Sequence, residues 1–149
     1  MPVVRLTGMI AAESGGIGRK ALSMATVEPL LDKAFEIKDA PVVAIEVNSP
    51  GGSPVQSRLI FRRIRELAEK HDRKVLVFCE DVAASGGYMI ACAGDEIVAD
   101  PSSIVGSIGV VSGGFGFVDL IRRIGVERRL YTAAVSYTHL RAHETGRNL

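Results

Sequence analysis

VVAIEVNSPGGSP, residues 42–54, combines an apolar segment, a glycine turn and the first residues of a helical pattern. Residues 42–47 are apolar except for Glu46, which is typical of a strand covered on both faces of a sheet. NSPGGSP has the composition of a turn. An amphipathic helix is predicted over residues 55–70, with one apolar face formed by Leu59, Ile60, Ile64 and Leu67. A strand, a turn and a helix in succession indicate an α/β fold.

The same alternation extends to both sides of this stretch. Strands are predicted over residues 3–10, 75–79, 95–100, 102–110 and 126–131. Further helices are predicted over residues 26–37, with Pro29 in the first turn, over 88–93 and over 117–124. Strands that alternate with helices favour a mostly parallel sheet covered by helices, in one domain.

The composition excludes several classes of protein. The chain has 149 residues, 47% of them hydrophobic, and a net charge of +1, which gives no reason to expect binding to nucleic acid or to an anionic membrane. No apolar run approaches the ~20 residues of a membrane-spanning helix, and MPVVRLTGMI lacks the pattern of a signal peptide. A cytoplasmic chain is therefore expected. Cys79 and Cys92 lack metal-ligand spacing and are predicted to be reduced core thiols, without metal or cofactor.

DVAASGGYMIACAG, residues 81–94, places Ser85 among small side chains at the predicted start of a helix. Such a serine is a favoured helix N-cap, but it is also suited to act as an accessible nucleophile. Since ligands collect at the carboxyl ends of parallel strands, Gly51 and Gly52 are expected to lie close to Ser85 and Gly86. Backbone N–H groups beside a serine hydroxyl are the components of an acyl-transfer site, and both interpretations remain open at this point.

Three segments, VAIEVNSPGGSP, ASGGYMIACAGDEIVADPSSIVGSIGV and IGVERRLYTA, resemble the signal peptide peptidase A family of Ser-Lys peptidases over roughly residues 3–133. The resemblance implies a Clp-protease/crotonase fold, with a mostly parallel sheet built from repeated strand-strand-helix units. It also implies that Ser85 is the nucleophile and that Gly51, Gly52 and Gly86 form the oxyanion hole. Extended peptides, such as remnant signal peptides or unfolded segments, are the implied substrates, and the implied assembly is a homo-oligomer whose sites face a shared cavity.

The general base of that family has no counterpart in this sequence. The resemblance implies a lysine a few residues beyond YTA, but Tyr137 falls at about that position and no lysine follows Lys74. A serine hydroxyl is a poor nucleophile unless a neighbouring base accepts its proton, so the chain is predicted to be nearly inert. Two hypotheses follow: a peptidase whose sequence stops before its lysine, or an inactive scaffold or peptide-binding module of the same fold.

The last residues differ in character from the rest of the chain. Residues 1–133 are interpreted as a peptidase domain that is incomplete at its C-terminus, and 134–149 as a non-native or disordered tail. His139 and His143 are spaced like metal ligands on a helix but have no third ligand nearby, so no metal site is predicted. His71 is interpreted as solvated, which leaves no histidine base. Membrane association stays open, because many relatives are membrane-anchored.

Overall fold

The computed structural model describes residues 1–12 and 21–107 of the chain. These residues form a parallel sheet with helices between its strands. The strands are β1 (Val3–Thr7), β2 (Val42–Ser49), β3 (Lys74–Ala84), β4 (Glu96–Ala99) and β5 (Ile104–Gly106). The helices are α1 (Met24–Glu36), α2 (Pro54–His71) and α3 (Gly86–Ala91). The predicted α/β fold is confirmed. The helix predicted over 117–124, the strand over 126–131 and the tail over 134–149 lie outside the described residues.

The sheet is parallel throughout, and β2 and β3 are its central strands. The sheet runs β1-β2-β3-β4, β5 also pairs with β3, and every pair is parallel. The core combines side chains of the strands with those of α1 and α2, and its largest fully buried members include Leu6, Ile45, Leu31, Phe35, Ile60 and Ile64. Because the strands are parallel, their carboxyl ends lie along the same edge of the sheet.

β3 continues five residues beyond the strand predicted over 75–79. Val47 of β2 lies opposite Cys79, but Ser49 lies opposite Ala83, so β3 carries extra residues in this short interval. The Asn48 side-chain amide bridges the irregularity by donating to Asp81 Oδ2 over 3.0 Å. This irregularity lets β3 run on to Ala84 and brings its end beside the turn that follows β2.

α1 begins two residues before the predicted start, because Ser23 rather than a later residue caps it. The Ser23 hydroxyl accepts the Thr26 N–H, and Thr26 Oγ1 accepts the Ser23 N–H over 3.0 Å, which forms a capping box. Pro29 consequently lies inside the helix, so its predicted place in the first turn was wrong.

α2 is the long amphipathic helix that the sequence predicts. Ser53 caps it and Pro54 occupies its first turn. Ile60, Ile64 and Leu67 are buried as expected. Leu59 is 42% exposed, so its predicted place on the apolar face was wrong. Adjacent helical residues point about 100° apart, so a helix that buries Ile60 turns Leu59 towards solvent.

A polar bridge fastens α2 to the loop that precedes β4. Arg65 Nη1 donates to the Ala93 carbonyl over 3.1 Å and to Asp95 Oδ1 over 2.9 Å. The other oxygen of Asp95 accepts the Val75 N–H over 2.7 Å. The Val75 backbone bond, followed by the bond and charge of Arg65, lowers the pKa of Asp95 below its ordinary value.

Candidate active site

Ser85 is the single residue between the end of β3 and the start of α3, and its backbone is strained. Its φ of 53° and ψ of −117° lie in a region that residues other than glycine rarely occupy. The backbone is held at both ends, because the Ser85 N–H donates to the Gly106 carbonyl over 2.8 Å and its carbonyl accepts the Met89 N–H over 3.0 Å. The side chain makes no capping hydrogen bond, so the geometry does not support the N-cap interpretation.

The turn after β2 lies against Ser85, as expected for the ends of neighbouring parallel strands. Gly51 has a φ of +100°, and a Cβ atom there would lie 2.9 Å from Ser85 Cβ and 2.9 Å from the Gly86 nitrogen. Real Cβ atoms essentially never approach other heavy atoms so closely. A side chain at this position would therefore have to displace the serine, and glycine is the residue that fits.

Gly86, which follows Ser85, also lies where a side chain would not fit. A Cβ atom on Gly86 would lie 2.3 Å from the hydroxyl oxygen of Ser57, a fully buried residue of α2. Ser57 itself donates to the Ser53 carbonyl over 2.8 Å. The first residue of α3 therefore packs directly on α2, which fixes the position of its backbone N–H.

The three glycine N–H groups of the predicted oxyanion hole differ in their partners. The Gly51 N–H donates to the Ser49 hydroxyl over 3.1 Å. Within the described part of the chain, the N–H groups of Gly52 and Gly86 have no hydrogen-bond acceptor. Gly52 and Gly86 thus keep their donors available, whereas Gly51 contributes the space left by its missing side chain.

The lysines that the structure describes lie at the far end of the sheet from Ser85. Lys74 is the first residue of β3, and a strand of 11 residues, roughly 30–35 Å, separates it from the serine. Lys70 lies in the last turn of α2, Lys33 in the last turn of α1, and Lys38 shortly before β2 begins. Among residues 1–12 and 21–107, no side chain forms a hydrogen bond with the Ser85 hydroxyl. The position of Tyr137, where the resemblance implies a lysine, lies outside the described residues.

His71 is also remote from the serine. It ends α2, 14 residues or about 21 Å of helix beyond Ser57, which contacts the Ser85 turn. Its ring centroid lies 6.3 Å from that of Phe35, and the side chain is half-buried rather than solvated as predicted. His71 cannot serve as the base for Ser85.

Cys79 is poorly suited to act as a second nucleophile. Cys79 is buried, and burial followed by the nearby Cys92 raises the pKa of its thiol. A thiol with a raised pKa is protonated at neutral pH and is a weak nucleophile. Both cysteines are free, but Cys92 is exposed, so its prediction as a core thiol was wrong. It follows α3 directly and lies between the buried Ala91 and Ala93.

Neither a metal cluster nor a membrane-spanning helix occurs in the described ranges. No group of three His, Cys, Asp or Glu side chains within residues 1–12 and 21–107 is arranged to hold a metal ion. In the same residues, none of the helices combines the length and the apolar character needed to cross a bilayer.

Ser49 and Ser57 are the residues of the site that sequence reasoning missed. Both are fully buried. Ser49 supports the turn after β2, and Ser57 supports the start of α3. The available signals were a serine at the end of an apolar strand and a serine on the apolar face of a helix.

The parallel sheet, the strained serine between a strand and a helix, and the double-glycine turn beside it define an α/β protein and agree with the Clp-protease fold that the resemblance implies. The sequence model of peptidase family S49 matches residues 68–140, a range that contains Ser85 and α3. The chain belongs to peptidase family S49, the family of signal peptide peptidase A.

Similar proteins include named proteases and proteins named as a transporter. The chloroplastic serine protease SPPA of Arabidopsis thaliana is 34% identical over 129 residues, 85% of this chain and 19% of that protein. The putative signal peptide peptidase SppA of Enterococcus faecium is 33% identical over 133 residues, 87% of this chain and 38% of that protein. The Na⁺/H⁺ antiporter NhaA of Brucella melitensis is 67% identical over 134 residues, 89% of this chain and 18% of that protein. The chain therefore spans less than two fifths of the length of each of these relatives.

Proposed function

We propose that the chain carries the nucleophile and the oxyanion hole of a serine peptidase of the signal peptide peptidase type. The observation that carries the proposal is the strained backbone of Ser85, at φ 53° and ψ −117°, combined with a hydroxyl that caps no helix. Backbone strain of about 1–3 kcal/mol persists only where the surrounding structure imposes it, and it is common at active sites. A serine on a sharp turn between a strand and a helix is also the arrangement that exposes the nucleophile in other hydrolases.

In the proposed reaction, the Ser85 oxygen attacks the carbonyl carbon of a peptide bond. The carbonyl oxygen becomes an oxyanion, and the Gly86 and Gly52 N–H groups stabilise it by hydrogen bonds. Both donors are free of acceptors in the described part of the chain, which supports this role. Gly51 has its N–H bound to Ser49, and it serves the site by leaving room for Ser85 and Gly86.

The proposed substrates are extended peptides, namely remnant signal peptides or unfolded segments. This choice is supported by family membership and by the names of the Arabidopsis and Enterococcus relatives. The antiporter name of the Brucella relative describes a protein of which the matching segment makes up 18%, so that name carries no proposal of transport for this chain.

Proton transfer decides between this function and a second candidate, an inactive peptide-binding module of the same fold. The second candidate is favoured by two observations: no lysine follows Lys74 in the sequence, and the described lysines are remote from Ser85. General-base assistance contributes about 10²- to 10⁴-fold to such reactions. We therefore propose that these 149 residues hydrolyse peptides slowly, and that any turnover depends on Ser85.

The test is hydrolysis of an unstructured fluorogenic peptide by the chain, by Ser85→Ala and by Ser102→Ala. Ser102 is an exposed loop serine and serves as the matched control. The peptidase proposal expects slow hydrolysis that Ser85→Ala abolishes and Ser102→Ala leaves unchanged. Peptide binding without any Ser85-dependent hydrolysis would establish the peptide-binding module instead.

We further propose that the native assembly is a ring-like homo-oligomer with its sites facing a shared cavity. The support is the family resemblance alone. Sedimentation velocity at micromolar concentration tests it, and a monomer of the full-length protein would contradict it. The expected cytoplasmic location, with membrane association left open, stays a prediction.

A further inference from the structure

We propose that Ser49 is a positioning residue of the oxyanion hole. Its buried hydroxyl turns the Gly51 N–H into the protein and leaves the Gly52 N–H as the donor that the turn offers to an anion at Ser85. The inference rests on the proposed function, because it assigns a role in stabilising the same oxyanion.

The hydroxyl of Ser49 is fully buried and has a partner on each side. It donates to the Gly8 carbonyl over 2.7 Å and accepts the Gly51 N–H over 3.1 Å. Gly8 follows the last residue of β1, and its own N–H donates to the Asn48 carbonyl over 2.9 Å. One side chain thus joins the end of β1 to the double-glycine turn, so the turn cannot rotate without breaking a buried hydrogen bond.

The backbone of Ser49 also contacts the serine helix. A Cβ atom on Gly87 would lie 2.5 Å from the Ser49 carbonyl oxygen, so these two backbones pack directly together. The turn that Ser49 orders and the helix that carries the Gly86 N–H are therefore positioned through the same residue.

The consequence for the turn follows from the direction of its peptide groups. With the Gly51 N–H bound to Ser49, the Gly51 carbonyl accepts the Ile10 N–H over 2.9 Å. The Ile10 carbonyl in turn accepts the Ser53 N–H over 2.8 Å, which bypasses Gly52. The Gly51 N–H and the Ser53 N–H, on either side of Gly52, thus both have acceptors. The Gly52 N–H lies between them and has no acceptor among the described residues. Loss of the Ser49 hydroxyl would free the Gly51 N–H to rotate and would disorder the donor beside it.

The test measures two quantities in Ser49→Ala: amide hydrogen exchange at Gly51 and the rate at which a fluorophosphonate modifies Ser85. In that modification the Ser85 oxygen bonds to phosphorus, fluoride leaves, the serine proton passes to the buffer, and the phosphoryl oxygen occupies the oxyanion hole. The phosphonylation rate should fall by about 10- to 100-fold, somewhat less than for complete loss of a donor. Exchange at Gly51 should accelerate by at least about tenfold relative to Ile45 in the middle of β2, because the amide loses its acceptor.

Ser23→Ala is the matched control, since Ser23 is also a buried serine with hydrogen bonds, but its hydroxyl bonds Thr26 at the start of α1 and not the glycine turn. It should leave the phosphonylation rate and the relative exchange at Gly51 within about threefold of the unmodified chain. Ser49→Cys keeps the shape of the side chain with a weaker hydrogen-bonding group, and it should give an intermediate rate. If Ser49→Ala does not fold, Ser49→Cys carries the comparison.

The outcomes separate this inference from the proposed function. Ser85-dependent phosphonylation that is unchanged in Ser49→Ala, or a Gly51 amide that is unprotected in the unmodified chain, would overturn the role of Ser49 and leave the proposed function standing. If the fluorophosphonate does not modify Ser85 in the chain without substitutions, the proposed function is overturned, and the inference with it.

Discussion

Replacing Ser85 by glycine should stabilise the chain relative to replacing it by alanine. Both variants lack the hydroxyl, so their difference reports the cost of a Cβ atom at φ 53° and ψ −117°. That strain is worth about 1–3 kcal/mol, and the greater freedom of glycine in the unfolded chain returns about 0.4–1 kcal/mol. Ser85→Gly should therefore exceed Ser85→Ala by about 1–2 kcal/mol in the free energy of unfolding.

Urea unfolding followed by far-ultraviolet circular dichroism measures this difference, since the chain contains no tryptophan for fluorescence. Asp72 provides the control, because its φ of 49° and ψ of 56° lie in the left-handed helical region that single residues visit more easily. The free energy of unfolding of Asp72→Gly should exceed that of Asp72→Ala by less than the difference between Ser85→Gly and Ser85→Ala. Equal stabilities of Ser85→Gly and Ser85→Ala would refute the claim that the serine is held in a strained conformation.

Two further predictions concern the glycine turn and the bridge to α2. Gly51→Ala should lower the free energy of unfolding by about 2–4 kcal/mol and suppress fluorophosphonate labelling of Ser85, because the new Cβ would lie 2.9 Å from Ser85 Cβ; wild-type stability and labelling would show that the turn has room. Asp95→Asn should lower the free energy of unfolding at neutral pH, because the ionised acceptor of the hydrogen bonds from Val75 and Arg65 is lost. The loss should be only about 1 kcal/mol, because the side chains of Asp95 and Arg65 are partly exposed. Since folding lowers the pKa of Asp95, its contribution is complete above about pH 4 and is lost as the pH falls through the folded-state pKa, so the two stability curves should converge in acid. A constant difference down to the acid limit would contradict the assignment.

The fold was predictable from the sequence where periodicity is strong. The apolar run of β2 and the helical spacing of α2 are local patterns, and the structure has both elements at nearly the predicted positions. β3 was predicted too short, because the apolar run ends at Cys79 and the charged residues Glu80 and Asp81 follow it. They are tolerated in the strand because the irregular pairing with β2 leaves them exposed.

The candidate site was predictable in its location but not in its hydrogen bonds. Parallel neighbouring strands place Gly51 near Ser85, and this follows from topology. The positive φ of Ser85 and the bond between Ser49 and Gly51 depend on how the ends of the strands pack with α3. No local pattern encodes such tertiary contacts.

The most direct test of the account is to map the residue that a fluorophosphonate modifies. The unmodified chain and Ser85→Ala are treated in parallel, and the adducts are located by peptide mass spectrometry. The account predicts one adduct on the chain without substitutions, at Ser85, and none on Ser85→Ala. Modification of other serines at the same rate, or an unchanged yield in Ser85→Ala, would contradict the claim that Ser85 is the nucleophile.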